Sequence, residues 1–232
     1  MSWNNRLYVY SQKRGAACFD TGKDAWSGVA LLEHKGQPML VKCWTVYSRY
    51  NSAHKIQVQL HCQLERSYTL KIGPKTGLSK GINVILGQLD KGLERLNKDV
   101  DLYRDYGFHE VTAGRSIKTS DQEFTQMVLR DLELRSALLK NPVYGVRIAP
   151  NVPKWVGGEE HLITAWCEVN DLDLTTQNGW DLGDVDDDWG TPEQHLQRLE
   201  SPAFAQKLDA LVELAKAAHG AALTWRMPEK KV

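Results

Sequence analysis

Between residues 55 and 64 the chain alternates without a break. Ile56, Val58, Leu60, Cys62 and Leu64 are apolar, and Lys55, Gln57, Gln59, His61 and Gln63 are polar. A strict period of two matches the side-chain alternation of a β-strand with one buried and one wet face. That is the pattern of an antiparallel sheet, because a parallel strand is covered on both faces and reads as apolar throughout. Tyr68, Leu70 and Ile72 resume the alternation just after Glu65-Arg66, which predicts a tight hairpin. Upstream, residues 29–33 and 39–47 flank the turn-prone His34-Lys35-Gly36-Gln37-Pro38, and residues 6–10 read as a shorter strand. The first 73 residues therefore form an antiparallel β-meander on this reading.

Beyond Gly73-Pro74 the period changes. Ile82, Ile85, Leu86, Leu89, Leu93, Leu96, Val100 and Tyr103 follow helical spacing, and Asp105-Tyr106-Gly107 ends the run. Residues 108–112 suggest a short strand. Ser120-Asp121-Gln122-Glu123 fits a capping box with Ser120 as N-cap. The helix it opens carries Phe124, Met127, Val128, Leu132, Leu138 and Leu139, and stops at Asn141-Pro142. Residues 143–149 and 162–169 read as strands. Thr191-Pro192 opens one more helix and Ser201-Pro202 another, the latter with Phe204, Leu208, Leu211, Val212 and Ala215 as its apolar stripe. Gly220 closes it, and residues 221–227 read as a terminal strand. Strands first and mixed elements later give an α+β class: an antiparallel β-meander in the N-terminal half, and amphipathic helices packed with further strands in the C-terminal half. The expectation is one compact domain, residues 1–232, with two lobes, 1–105 and 106–232.

Composition matters most for charge. Lysine plus arginine number 29 and aspartate plus glutamate 29, so the net formal charge is zero. The zero is unevenly built. Residues 1–98 hold 15 basic and 6 acidic side chains, and residues 99–232 hold 14 and 23. A basic half with Trp44, Tyr47, Tyr50 and Tyr68 could in principle track a phosphate backbone. Its basic residues are dispersed along strands, however, and no nucleic-acid module is legible, so that partner is disfavoured. Opposite-charge lobes suit association with a protein partner or self-association. Cys18, Cys43, Cys62 and Cys167 form no C-x-x-C pair, and Cys43 and Cys62 sit in strand-like runs as packed thiols. With no signal sequence and no run near the roughly 18 apolar residues of a membrane helix, the expectation is a soluble cytoplasmic protein without membrane partners.

Catalytic motifs are thin. The loop of residues 73–81 is glycine-rich and basic but has neither phosphate-loop spacing. No G-x-S-x-G elbow occurs. His161 and Cys167 lie six residues apart on one strand, about 20 Å, too far to form a nucleophile–base pair. His109 and His161, beside glutamates, read as solvated histidines. The seven histidines never fall at i, i+4 spacing, which argues against a zinc enzyme. One segment stands out: residues 155–197 contain 11 carboxylates and no lysine or arginine. Within it Asp184, Asp186 and Asp188 imitate the opening of a Ca²⁺ loop, although Trp189 stands where glycine is needed and His195 where the bidentate glutamate belongs. These three aspartates are the candidate ligands for weak Ca²⁺ or Mg²⁺ binding, with no other cofactor expected. Trp180 and Trp189 are the candidate contacts for a basic partner. The functional expectation is a non-catalytic binding or interaction module. The alternative is an enzyme whose site assembles from sequence-distant residues, divalent-metal assisted.

Overall fold

The strand at residues 55–64 belongs to β4 (Ser52–Gln63) in the structure, a computed structural model that describes residues 3–19, 27–47, 52–74, 100–101, 106–151, 160–169, 174 and 201–225. The chain divides into two units, each assembled from two stretches far apart in sequence: residues 1–60 with 166–212, and 61–165 with 213–232.

In the first unit the strand order is β1 (Ala17–Phe19), β2 (Ser27–His34), β3 (Gln37–Tyr47), β4, β9 (Glu160–Val169). The β2–β3 hairpin turns on Lys35 and Gly36, with φ of 52° and 76°, the positive values a two-residue loop needs to match strand twist. Register places side chains in cross-strand rows. Cys18, Ala30, Val41 and Val58 form one row, Gly28, Cys43 and Ile56 the next, and Leu32, Met39 and Leu60 a third. Nearly all of these are buried and make the core face. Residues 6–10 are not a strand but part of α1 (Trp3–Gln12). Of the buried residues Trp3, Leu7, Val9, Tyr10 and Ser11, all but Val9 follow helical spacing, which outweighs the brief alternation of Leu7 and Val9. α1 lies on the core face so closely that a Cβ on Gly28 would stand 2.9 Å from the Trp3 backbone. Phe204, at the start of α5 (Pro202–Leu223), packs on Trp3 and Tyr10 at 5.8 and 6.4 Å between ring centroids.

In the second unit the strand order is β8 (Gly145–Pro150), β5 (Leu70–Pro74), β7 (Arg115–Thr119) and β6 (Val100–Asp101). The expected hairpin between β4 and β5 does not form. β5 pairs instead with β7 and β8, Ile72 standing between Ile117 and Val146. No residue from 64 to 69 takes a positive φ, so Glu65-Arg66 cannot make the two-residue reversal such a hairpin requires. Val100 pairs with Lys118 as strand rather than helix, past the end of the leucine repeat at Leu96; the helix expected before it lies outside the described residues. The expected strand at 108–112 is a single helical turn, α2 (His109–Thr112), entered through Tyr106 and Gly107 at positive φ.

The long helix expected from Ser120 to Leu139 is two helices, α3 (Gln122–Arg130) and α4 (Leu132–Lys140). Asp121, not Ser120, caps α3 by accepting the Phe124 N–H at 2.9 Å, while the Ser120 hydroxyl accepts the N–H of Thr69. Asp131 breaks the run: extended at ψ 124°, it ends α3 and accepts the Leu134 N–H to start α4. α4 ends at Asn141, as the sequence indicated. α5 runs through Gly220 to Leu223, so neither the stop nor a strand at 221–225 is present. One glycine costs a helix about 1 kcal/mol, and the surrounding Ala217, Ala218, Ala221 and Ala222 are the strongest helix formers.

The second core is aromatic. Tyr68 stacks on Phe124 at 4.3 Å, and Trp225 meets both rings edge-on while its indole N–H donates to the Tyr68 hydroxyl. His161 is fully buried here rather than solvated. Its Nε2 accepts the Tyr68 N–H at 2.9 Å, which places the ring proton on Nδ1. Arg115 is buried as well, its guanidinium donating to the carbonyls of Leu138, Asn141 and Tyr144. Burial lowers its pKa to about 10, which leaves it charged at neutral pH. No helix among the described residues is long and apolar enough to cross a membrane.

Candidate interaction face

The sheet of the first unit has a second face. Alternation puts Phe19, Val29, Lys42 and Gln57 in one row on it, Ala17, Leu31, Leu40 and Gln59 in the next, and Ser27, Trp44 and Lys55 in a third. Val29, Leu31, Leu40, Trp44 and Val46 are half-buried, and Phe19, at the edge strand, is 49% exposed. An antiparallel sheet normally keeps such a face polar. Here the β4 side is polar, through Gln57 and Gln59, while β1 to β3 carry Phe19, Val29, Leu31, Leu40, Trp44 and Val46 with Ser27, Glu33 and Lys42 among them. The signal is present in the sequence: residues 39–47 are apolar at Met39, Leu40, Val41, Cys43, Trp44 and Val46, a near-continuous run instead of an alternating one.

Charge on this face comes from Glu33, exposed, Lys42, half-buried, and Lys55, buried. The Lys55 ammonium stands 3.8 Å from the Glu168 carboxylate. Burial lowers the Lys55 pKa, and Glu168 opposes that shift without cancelling it. Trp166, two residues before Glu168 on the same side of β9, is buried too.

Several other polar groups of the first unit hold its parts together. The Trp3 indole N–H donates to the Thr45 hydroxyl at 2.8 Å, and that hydroxyl lies 2.9 Å from Nδ1 of His54. Tyr10 donates to Asp209 at 2.7 Å, and Arg14 holds the same carboxylate through two nitrogens while lying over the Tyr10 ring. Burial, then Asp209, raises the Tyr10 hydroxyl far above the usual range. The thiols of Cys43 and Cys62 are raised by burial, Cys62 to about 11, so neither supplies a thiolate at neutral pH.

Among the described residues no group of three or more histidines, cysteines and carboxylates is placed to hold a metal ion. Asp184, Asp186 and Asp188, and with them Trp180 and Trp189, lie outside the described residues. Of the acidic stretch 155–197, the described carboxylates are Glu160, which is exposed, and Glu168, which is engaged with Lys55. His109 is exposed, as expected.

No protein-family model matches the chain, and no similar curated protein or solved structure is found.

Proposed function

We propose that the protein is a non-catalytic binding module, and that its contact surface is the β1–β3 side of the second sheet face. The observation that carries this reading is the apolar patch of Val29, Leu31, Leu40, Trp44 and Val46, half-buried beside the exposed Phe19. A patch of this kind, bordered by polar side chains, marks an interaction surface more often than a reaction site. Its chemistry suits a protein partner that offers apolar side chains to Leu31 and Leu40 and a carboxylate to Lys42. The setting we infer is the cytoplasm, where the four free cysteines stay reduced.

The test is a pair of charge insertions, Leu31→Glu and Leu40→Glu, each made in the full chain. Native mass spectrometry of the wild type identifies what it retains, and the purified partner is then titrated against all three proteins. The expected result is a melting temperature within a few degrees of wild type together with at least roughly tenfold weaker binding, since a charge inserted in an interface centre is left unpaired. Undiminished binding by both variants overturns the reading. So does unfolding of both, which would make the patch ordinary core.

A further inference from the structure

Among the described residues of the second unit, the most exposed large apolar side chains fall on α4 and just past its end. Leu132 is 72% exposed, Leu139 50% and Val143 58%. Leu132, Ser136 and Leu139 follow i, i+4, i+7 spacing along α4, and Val143 follows just past its end, while Leu134 and Leu138 are buried on the opposite side. α4 is therefore apolar on both sides. Sequence spacing alone counts Leu132 and Leu139 as core, which they are not.

The outer side is self-complementary. Glu133 and Lys140, seven residues apart, fall on the same flank of the Leu132–Leu139 line, and both are exposed. Neither has an ion-pair partner among the described residues. When two copies of a helix pack antiparallel about a two-fold axis, equivalent flanks face each other and residues pair end for end. Leu132 then meets the partner's Leu139, Glu133 meets the partner's Lys140, and the small Ser136 sits near the crossing point, where close approach is needed. The same two charges also suit the helix's own dipole, acid at the N-terminal turn and base at the C-terminal turn. A dipole role alone, however, gives no reason for an exposed leucine beside each of them.

We propose that the protein forms a two-fold dimer in which the outer side of α4 packs antiparallel on α4 of a second copy. A helix of nine residues with two apolar anchors, and Val143 just past its end, lies at the small end of specific interfaces, so the dimer is weak and concentration-dependent. The surface is distinct from the sheet face of the first unit, and Leu40→Glu leaves it intact.

Sedimentation from about 1 µM to about 1 mM covers the range in which so small an interface saturates. The wild type is expected to move from monomer toward dimer. Leu139→Asp stays monomeric throughout with an unchanged melting curve, since that side chain is half in solvent. Glu133→Lys and Lys140→Glu, each alone, place like charges opposite each other twice and weaken the dimer roughly tenfold. In an equimolar mixture of those two variants, each lysine of the first copy faces a glutamate of the second at both contacts, and the affinity returns to that of the wild type. A wild type that is monomeric over the whole range overturns the proposal, as does dimerisation of Leu139→Asp or a mixture no tighter than its components.

Discussion

Lys55 sits in an environment that its residue type rarely takes. It occupies a polar position of the alternating strand, yet it is buried, and the Glu168 carboxylate is 3.8 Å away, longer than a hydrogen bond. Burying an ammonium costs more than a long ion pair returns, which is why its pKa falls below the ordinary 10.5 despite Glu168. The sign of the pH effect follows. Just below 10.5 the unfolded chain binds more protons than the folded one, so stability rises with pH through the interval between the folded and unfolded pKa values. Lys55→Met removes that cost while Glu168, partly open to water, remains hydrated. The variant should unfold at an equal or higher denaturant midpoint than wild type at pH 7, with the difference shrinking as pH approaches about 10.5. A large loss of stability at neutral pH would show instead that the pair holds the sheet together. His161 teaches a related lesson about legibility. Neighbouring glutamates suggest a solvated ring, but its burial depends on Tyr68, 93 positions away, whose N–H it accepts. Local sequence carries no trace of that bond.

At the scale of elements, what was legible is what local pattern fixes. β2, β3, β4, β8 and β9 lie where alternation and turn residues put them, because period and positive-φ turns are properties of neighbouring residues. What was not legible depends on distant partners. β5 is a strand as its alternation says, but its neighbours are β7 and β8, and nothing near Leu70 names them. The helix break at Asp131 was open to a closer reading, since an aspartate with Leu-Glu after it is a capping signal set inside an apolar run. α1 against β2 is the contact most sensitive to a single atom group. Gly28→Ala introduces a methyl 2.9 Å from Trp3 backbone atoms and its Cβ, none of which can rotate away. The helix must shift as a body, at a cost of about 1–3 kcal/mol typical of overpacking. Urea titration measures it. A stability equal to wild type would mean that α1 sits less tightly than the structure shows.

The whole molecule redistributes the charge that the sequence segregates. Residues 1–60 hold eight basic and three acidic side chains, and residues 166–212 hold two and eleven, yet both stretches belong to the same unit. By formal charge the two units come to −4 and +4, where a division at residue 98 gives +9 and −9. Among the described residues, Arg14 with Asp209 and Lys55 with Glu168 are ion pairs that bridge the stretches directly. The first is the better placed to contribute, because the guanidinium grips both carboxylate oxygens and the phenol of Tyr10 donates to one of them. Asp209 is nonetheless about half exposed, so salt reaches it. Attraction between charges at the surface is screened beyond about 8–10 Å at physiological ionic strength and over shorter distances as salt rises. The melting temperature of the wild type should therefore fall between low salt and about 0.5 M sodium chloride, by an amount that corresponds to about 1 kcal/mol. Arg14→Gln/Asp209→Asn should begin lower and fall less over the same range. Sodium chloride is the appropriate salt, since sulfate strengthens apolar burial and would mask the effect. A melting temperature independent of salt in both proteins would mean that the folded chain gains nothing from bringing its opposite charges together.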